Sequence, residues 1–360
     1  MKHRLLILTT IVLSALQLQA QGIRYDDDPV DLESLYQQID NAILQSPRYV
    51  AERERQITAC SDSLVQAVTP EQRLPLAERL FQLYIPFRND SAVYYADQCI
   101  SLAESLRRPD LAGRYRAQLA YQCSNADMSA EAVELLRLVD RSALDKKGLV
   151  DYYNAWMHVY GELASYSQRE SVRQTYFDRQ NLYRDSVMMV AYEGSEEWYH
   201  LKVDILSAMR QFQEALRISN QWQKRVKDGT HESAYAAFYR SVVYDHLNNQ
   251  EMAHYWLAKS ALDDIRCAVM NQASLLFLAN HLADDGDLDR AQRYMDFARA
   301  CNVRFLPRLR AYQVDPVVNI VEKSRNAASD RLSTVLVASA VVILLLVLAL
   351  LFVLLRKRKP

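Results

Sequence analysis

Between residues 261 and 300 the apolar positions fall into two helical periods separated by a polar break. Leu275, Leu278, Ala279 and Leu282 stand at i, i+3, i+4 and i+7, one face of an α-helix. The acidic run from Asp284 to Asp289 interrupts that face at Gly286, and Ala291, Met295 and Ala298 then mark a second one. The spacing predicts two antiparallel helices joined by a tight turn. Ala279 and Ala291 leave room for the helices to nest, with larger side chains filling the gaps.

The same unit recurs upstream. Ala253 and Ala215 precede Ala291 at successive intervals of 38 residues, and Ala96 precedes Ala132 by 36. Leu80, Leu83 and Phe87 lead into Ala96 as Leu275, Leu278 and Leu282 lead into Ala291. Small residues recurring in helix pairs of about 34 residues are the signature of tetratricopeptide repeats. The repeat-packing positions are thus Ala96, Ala132, Ala215, Ala253, Ala279, Ala291 and Ala298. Between Ala132 and Ala215 lies room for one irregular pair, with helices expected near 151–166 and 170–190. The expected fold is all-α: a tetratricopeptide-like α-solenoid of six or seven helix pairs over residues 31–302.

Earlier in the chain the pattern is less regular. Leu32, Leu35, Ile39 and Ile43 share a face, and Pro47 is expected to begin another helix carrying Ile57 and Leu64. Thr69-Pro70-Glu71-Gln72 is a helix start, with a capping hydroxyl and proline at the first helical position. Pro75 and Pro86 should kink or shorten that helix. Asn89-Asp90-Ser91 is expected to be the turn that follows.

Both ends carry membrane and export signals. Met1 to Ala20 reads as a signal peptide, with Lys2, His3 and Arg4 before a short apolar run and Leu-Gln-Ala before Gln21. Residues 21–30 form an acidic leader. Residues 303–331 form a connector, in which Pro307 ends the last repeat helix and Asp315-Pro316 opens a new one carrying Val317, Val318, Ile320 and Val321. Leu332 to Leu355 has 24 residues without a charge. At about 1.5 Å per residue this stretch reaches ~36 Å, enough for a ~30 Å hydrocarbon core. Arg356 to Lys359 make 356–360 a basic tail, placed in the cytosol by the positive-inside rule. The chain is therefore expected in the inner membrane as a single-pass protein, with its repeats in the periplasm. Thr334 and Ala338 give a small-xxx-small spacing that admits pairing of two spans, hence a homodimer.

Composition agrees with long helices and short turns. The 360 residues hold only 7 glycines, and no proline falls between Pro109 and Pro307. The formal net charge of −1 gives no reason to expect a nucleic-acid partner for the repeats.

Candidate chemistry is sparse. The five cysteines, 60, 99, 123, 267 and 301, form no C-x-x-C; Cys99 and Cys123 are the nearest pair in sequence. Asp284, Asp285, Gly286, Asp287 and Asp289 resemble half a calcium loop, but Met295 stands where the twelfth-position glutamate belongs, and a turn between helices explains them. Glu196 with Glu197, and Asp263 with Asp264, are adjacent on helices and so do not face each other. Asp264 and Arg266 are expected on a solvated face or holding a turn. His246, His254 and His281 are expected to face solvent or pack partly. No Walker loop, G-x-S-x-G or H-E-x-x-H occurs. No enzymatic activity, cofactor or metal is expected. Two aromatic stripes stand out: Tyr152, Tyr153, Trp156, Tyr160 and Tyr166, then Tyr235, Phe238 and Tyr239. Helical spacing makes them core stripes by default. If the inner helices of the solenoid present them, Tyr152, Tyr153, Trp156, Tyr160, Tyr235 and Tyr239 line a protein- or peptide-binding groove.

The stretches SALDDIR (260–266), LANHLADDGDLDRAQRYMDFA (278–298), RFLPRLR (304–310) and DPVVNIVEKS (315–324), followed by a span, resemble a bacterial single-pass membrane family known by a domain of unknown function. The resemblance runs from about 150 to 355. Members share the order signal peptide, tetratricopeptide-type helices, span. In fuller members a cytosolic coiled-coil-like segment and a further domain follow, and some are described as transcriptional regulators. This sequence stops at Pro360, so signalling would need a further output domain or a partner that reads the span. The expected function is a sensor or adaptor that binds a peptide or protein. The alternative is a scaffold for an envelope complex.

Overall fold

The computed structural model describes residues 31–305 and, beyond them, Ser339 alone. The expected signal peptide, leader, basic tail, nearly all of the connector and, but for Ser339, the 332–355 span lie outside the described residues. Among the described residues no helix is long and apolar enough to cross a membrane.

The described chain has 13 α-helices and one 3-10 turn: α1 Leu32–Gln66, α2 Pro70–Tyr84, α3 Asn89–Ser105, α4 Pro109–Asn125, α5 Ser129–Arg137, the turn Arg141–Ala143, α6 Lys146–Tyr166, α7 Glu170–Val190, α8 Glu196–Ala208, α9 Phe212–Gln223, α10 His231–His246, α11 Gln250–Arg266, α12 Ala273–Asp284 and α13 Leu288–Phe305. Among the helices described, residues 31–275 and 298–305 fall in one compact unit, and 276–297 belong to a second.

Local sequence starts and stops these helices. Thr69 and Gln72 form a reciprocal capping box at α2, and Asp145, Ser195, Thr230 and Asn249 cap α6, α8, α10 and α11. Six helices end in the same way. After α3, α4, α8, α10, α11 and α12 one residue turns left-handed: Arg107, Asp127, Arg210, Asn248, Ala268 and Gly286. The next N–H then reaches back to a carbonyl of the last turn, as Arg108 to Ala103 at 2.9 Å and Gln211 to Leu206 at 2.8 Å. This turn satisfies orphan carbonyls at each helix end. Its recurrence is the backbone form of the sequence repeat. The seven repeat-packing alanines are all at most 3% exposed.

Four local expectations need correction. Residues 32–66 form one helix that runs through Pro47. Ile39, Val50 and Ile57 are all buried, and their spacing keeps them on one face across the proline. That continuous burial outweighs a proline cost of about 3 kcal/mol. Asn89, Asp90 and Ser91 are the first turn of α3, and the linking turn is Ile85 to Arg88. Of Asp264 and Arg266, only Arg266 faces solvent; Asp264 is buried at 7% exposed, as is its neighbour Asp263 at 4%. His254 is buried as well, whereas His246 is exposed and stacks on Phe212.

The first unit closes on itself. α1 packs against both α2 and α11. Arg53 of α1 donates to the Cys267 carbonyl, just past the end of α11, at 2.7 Å. The Met270 N–H donates to the Pro86 carbonyl at 2.8 Å, tying the segment after α11 to the turn after α2. A cation on the last carbonyls of a helix also meets the negative end of its dipole. Within the second unit, Gly286 makes the turn after α12 with φ +90°, and Asp287 caps α13 through the Arg290 N–H at 3.2 Å.

Candidate functional site

Inside the first unit α4, α6, α7, α8 and α10 surround a cavity of about 710 Å³. Each helix presents one stripe to it, and the stripes follow helical periodicity. α6 supplies Met157, His158, Gly161, Glu162 and Ser165; α8 supplies Glu196, Glu197, His200, Leu201 and Asp204. α10 supplies His231, Tyr235 and Tyr239 at four-residue steps, α4 supplies Tyr121, and α7 supplies Phe177, Gln180, Asn181 and Arg184.

Neighbours hold these side chains in place. Asp151 accepts from Arg114 Nε at 2.9 Å and Gln118 Nε2 at 2.8 Å, which sets α6 against α4. His158 Nδ1 lies 3.0 Å from Ser124 Oγ, its ring packs on Tyr121 at 4.3 Å, and its Nε2 lies 3.8 Å from Glu162. Behind Tyr235 and Tyr239 the indole of Trp222 packs at 5.7 and 5.9 Å and is itself stacked on Tyr199. His231 Nδ1 lies 2.9 Å from Asp264 Oδ1, and Ser233 Oγ donates to Asp263 Oδ2 at 2.9 Å. Gly161 admits the Gln180 amide, which a Cβ there would meet at 2.8 Å.

Electrostatics set the lining apart from an ordinary helix surface. Glu196, Asp204 and His231 expose much of their surface area, but that surface faces the cavity, where protein surrounds them on most sides. Burial therefore governs their proton affinities more than open-solvent exposure would suggest. Burial first, and then the Glu197 charge, push the Glu196 carboxyl up to about 7. Burial also raises Asp204, with Arg184 opposing. Burial drops the His200 imidazole to about 4, so it is neutral at pH 7. For His231, burial alone would disfavour the charged ring. The hydrogen bond to Asp264 and the Asp264 and Glu196 charges outweigh it, and the net shift is upward. Burial raises the Tyr235 and Tyr239 phenols, which stay protonated as donors.

The groove residues expected from sequence are divided. Tyr235 and Tyr239 line the cavity. Tyr152, Trp156 and Tyr160 pack instead into the core between α6 and α7, where the Tyr183 ring stacks on Trp156 at 5.6 Å and on Tyr160 at 5.7 Å. Tyr153 packs with the Val150, Val187 and Leu201 cluster. The lining residues that sequence reasoning did not assign to a site include His158, Glu162, Glu196, His200, Asp204 and His231. A signal for them was present: Glu196, His200 and Asp204 recur at four-residue steps, as do His231, Tyr235 and Tyr239. All five cysteines are free thiols, and burial raises Cys99 to about 12 and Cys123 to about 11, which keeps both inert. Among the described residues no cluster of three His, Cys, Asp or Glu has the geometry to hold a metal ion.

Comparison with known families gives one match. The family model described as the SusR N-terminal TPR domain covers residues 43–316. No curated protein matches the chain. The match shows a bacterial tetratricopeptide architecture, whose stacked repeats generally serve binding.

Proposed function

Because the chain belongs to the SusR N-terminal TPR domain family, we propose that it is the ligand-sensing part of a membrane-anchored regulator. One observation carries this reading. Helices α4, α6, α7, α8 and α10 converge on one partly open cavity, so a ligand there would touch five helices of the unit at once. The cavity volume of about 710 Å³ falls in the usual small-molecule range of about 300–1,000 Å³. An open groove would instead favour an extended peptide. The apolar run 332–355 is the anchor in this reading, with the repeats in the periplasm and 356–360 in the cytosol. Replacing 332–355 by an unrelated span of equal length tests it. Loss of a transcriptional response with the protein still in the membrane supports sensing through the span.

A second reading rests on a different surface. A shallow, apolar groove on α3–α5 is lined by Val93, Leu119, Met128, Val133, Leu135 and Leu138. It suits a protein partner and so a scaffold for an envelope complex. Partner co-purification that survives exchange of the span, and is lost in Leu135→Asp with the fold intact, would favour the scaffold.

A further inference from the structure

The cavity's chemistry narrows its ligand, on the premise that the cavity is the sensing site. Glu162, Glu196, Glu197 and Asp204 face it, and Arg184 is the one guanidinium or lysine among its lining residues. Aromatic faces stand among these carboxylates: Tyr121, Tyr235, Tyr239 and Phe177. Glu162 is only 5% exposed, so its charge is not spread into bulk water. Carboxylates held in a partly dry enclosure attract positive charge far more strongly than they do in water. Tyrosine faces add attraction for alkylammonium groups. An anionic ligand would meet these four carboxylates against Arg184 and the His231 imidazole.

We propose that the cavity binds a small organic cation, an aliphatic amine of di- or polyamine size, with its ammonium groups on the carboxylates and its methylenes on the tyrosine rings. The raised proton affinity of Glu196 fits this assignment, because a cation entering beside it takes the proton's place. Binding then releases a proton, and affinity rises with pH through about 7, with the Glu197 and Glu232 carboxylates and the His231 ring the other titratable groups acting on Glu196.

Isothermal titration of the full-length protein with spermidine, sorbitol, succinate and a lysine-rich decapeptide tests the proposal. Spermidine is expected to bind at one per chain and raise the melting temperature. Glu196→Gln and Asp204→Asn are each expected to weaken it about tenfold, or about 1.4 kcal/mol. Tyr152→Phe, outside the cavity, should leave affinity unchanged. Using both carboxylate variants, with circular dichroism as the fold check, guards against one of them unfolding. Spermidine binding that ignores both variants would mean that the cavity is not the site, and the sensing reading would fail with the proposal. Saturable binding of sorbitol or succinate that depends on the same residues would overturn the cation class and leave the cavity as the site. Binding of the decapeptide alone, or of none of the four probes, would overturn the proposal.

Discussion

Helices α6 and α10 both carry an aromatic stripe at four-residue spacing, yet the two stripes have different fates. On α10, Tyr235 and Tyr239 face the cavity and are backed by Trp222. On α6, Tyr152, Trp156 and Tyr160 turn the other way and stack against Tyr183 of α7, while His158 and Glu162 take the cavity side. The difference lies in the partner. α7 is as long as α6, 21 residues each, and supplies a tyrosine at the right height to bury the stripe. The opposite face of α6 is then left for the cavity, and it is polar. An aromatic stripe on an inner helix therefore marks a groove only when the paired helix leaves it uncovered.

That contrast can be broken experimentally, starting with the largest effect. Trp156→Ala should destabilise the fold by about 3–5 kcal/mol, as for other buried tryptophans, with ligand affinity falling only as the fold is lost; urea titration measures it. A loss of affinity without a loss of stability would place Trp156 at the site. Arg53→Ala should cost about 1–3 kcal/mol, since it leaves the Cys267 carbonyl without its charged donor. Thermal melting would show the shift, and hydrogen exchange should place the loosening at α1 and α11.

Glu196→Gln sharpens the electrostatic half of the comparison. The folded-state pKa of Glu196, about 7, lies above its usual value of 4.5. The folded state therefore holds a proton that the unfolded state releases, and stability falls as pH rises from about 4.5 through 7. Glutamine removes that penalty, so the variant should melt higher than the wild type at pH 8 and the same at pH 4. An equal shift at both pH values would contradict the assignment. The smallest effect is expected at the repeated turn. Arg210 holds a left-handed φ of 57°, and Arg210→Gly should stabilise by up to about 1 kcal/mol in chemical denaturation.

Much of the architecture was legible because it is local. The buried alanines, the Thr69 capping box and the Gly286 turn each announce themselves within a few residues. So did the long pair α6–α7, which fills the gap left by the regular repeats. The failures share a cause, since each depends on contacts far apart in sequence. Pro47 looked like a helix start, and only burial of Val50 and Ile57 keeps α1 continuous. The tie between Arg53 and Cys267 spans 214 residues and has no local pattern. The polar stripe Glu196, His200 and Asp204 was not singled out, because periodicity does not say whether a polar face meets bulk water or a cavity. The burial of Asp264, expected on a solvated face or holding a turn, and of His254, expected to face solvent or pack partly, was missed for the same reason.

Packing of α1 against both α2 and α11 closes the first unit. Hydrogen–deuterium exchange of the full-length protein tests that closure most directly. If α1 is fastened to α11, amides from Val50 to Ile57 exchange as slowly as those from Trp256 to Ile265, and Arg53→Ala speeds both together. If α1 exchanges at the rate of an isolated helix while α11 stays protected, the unit is open.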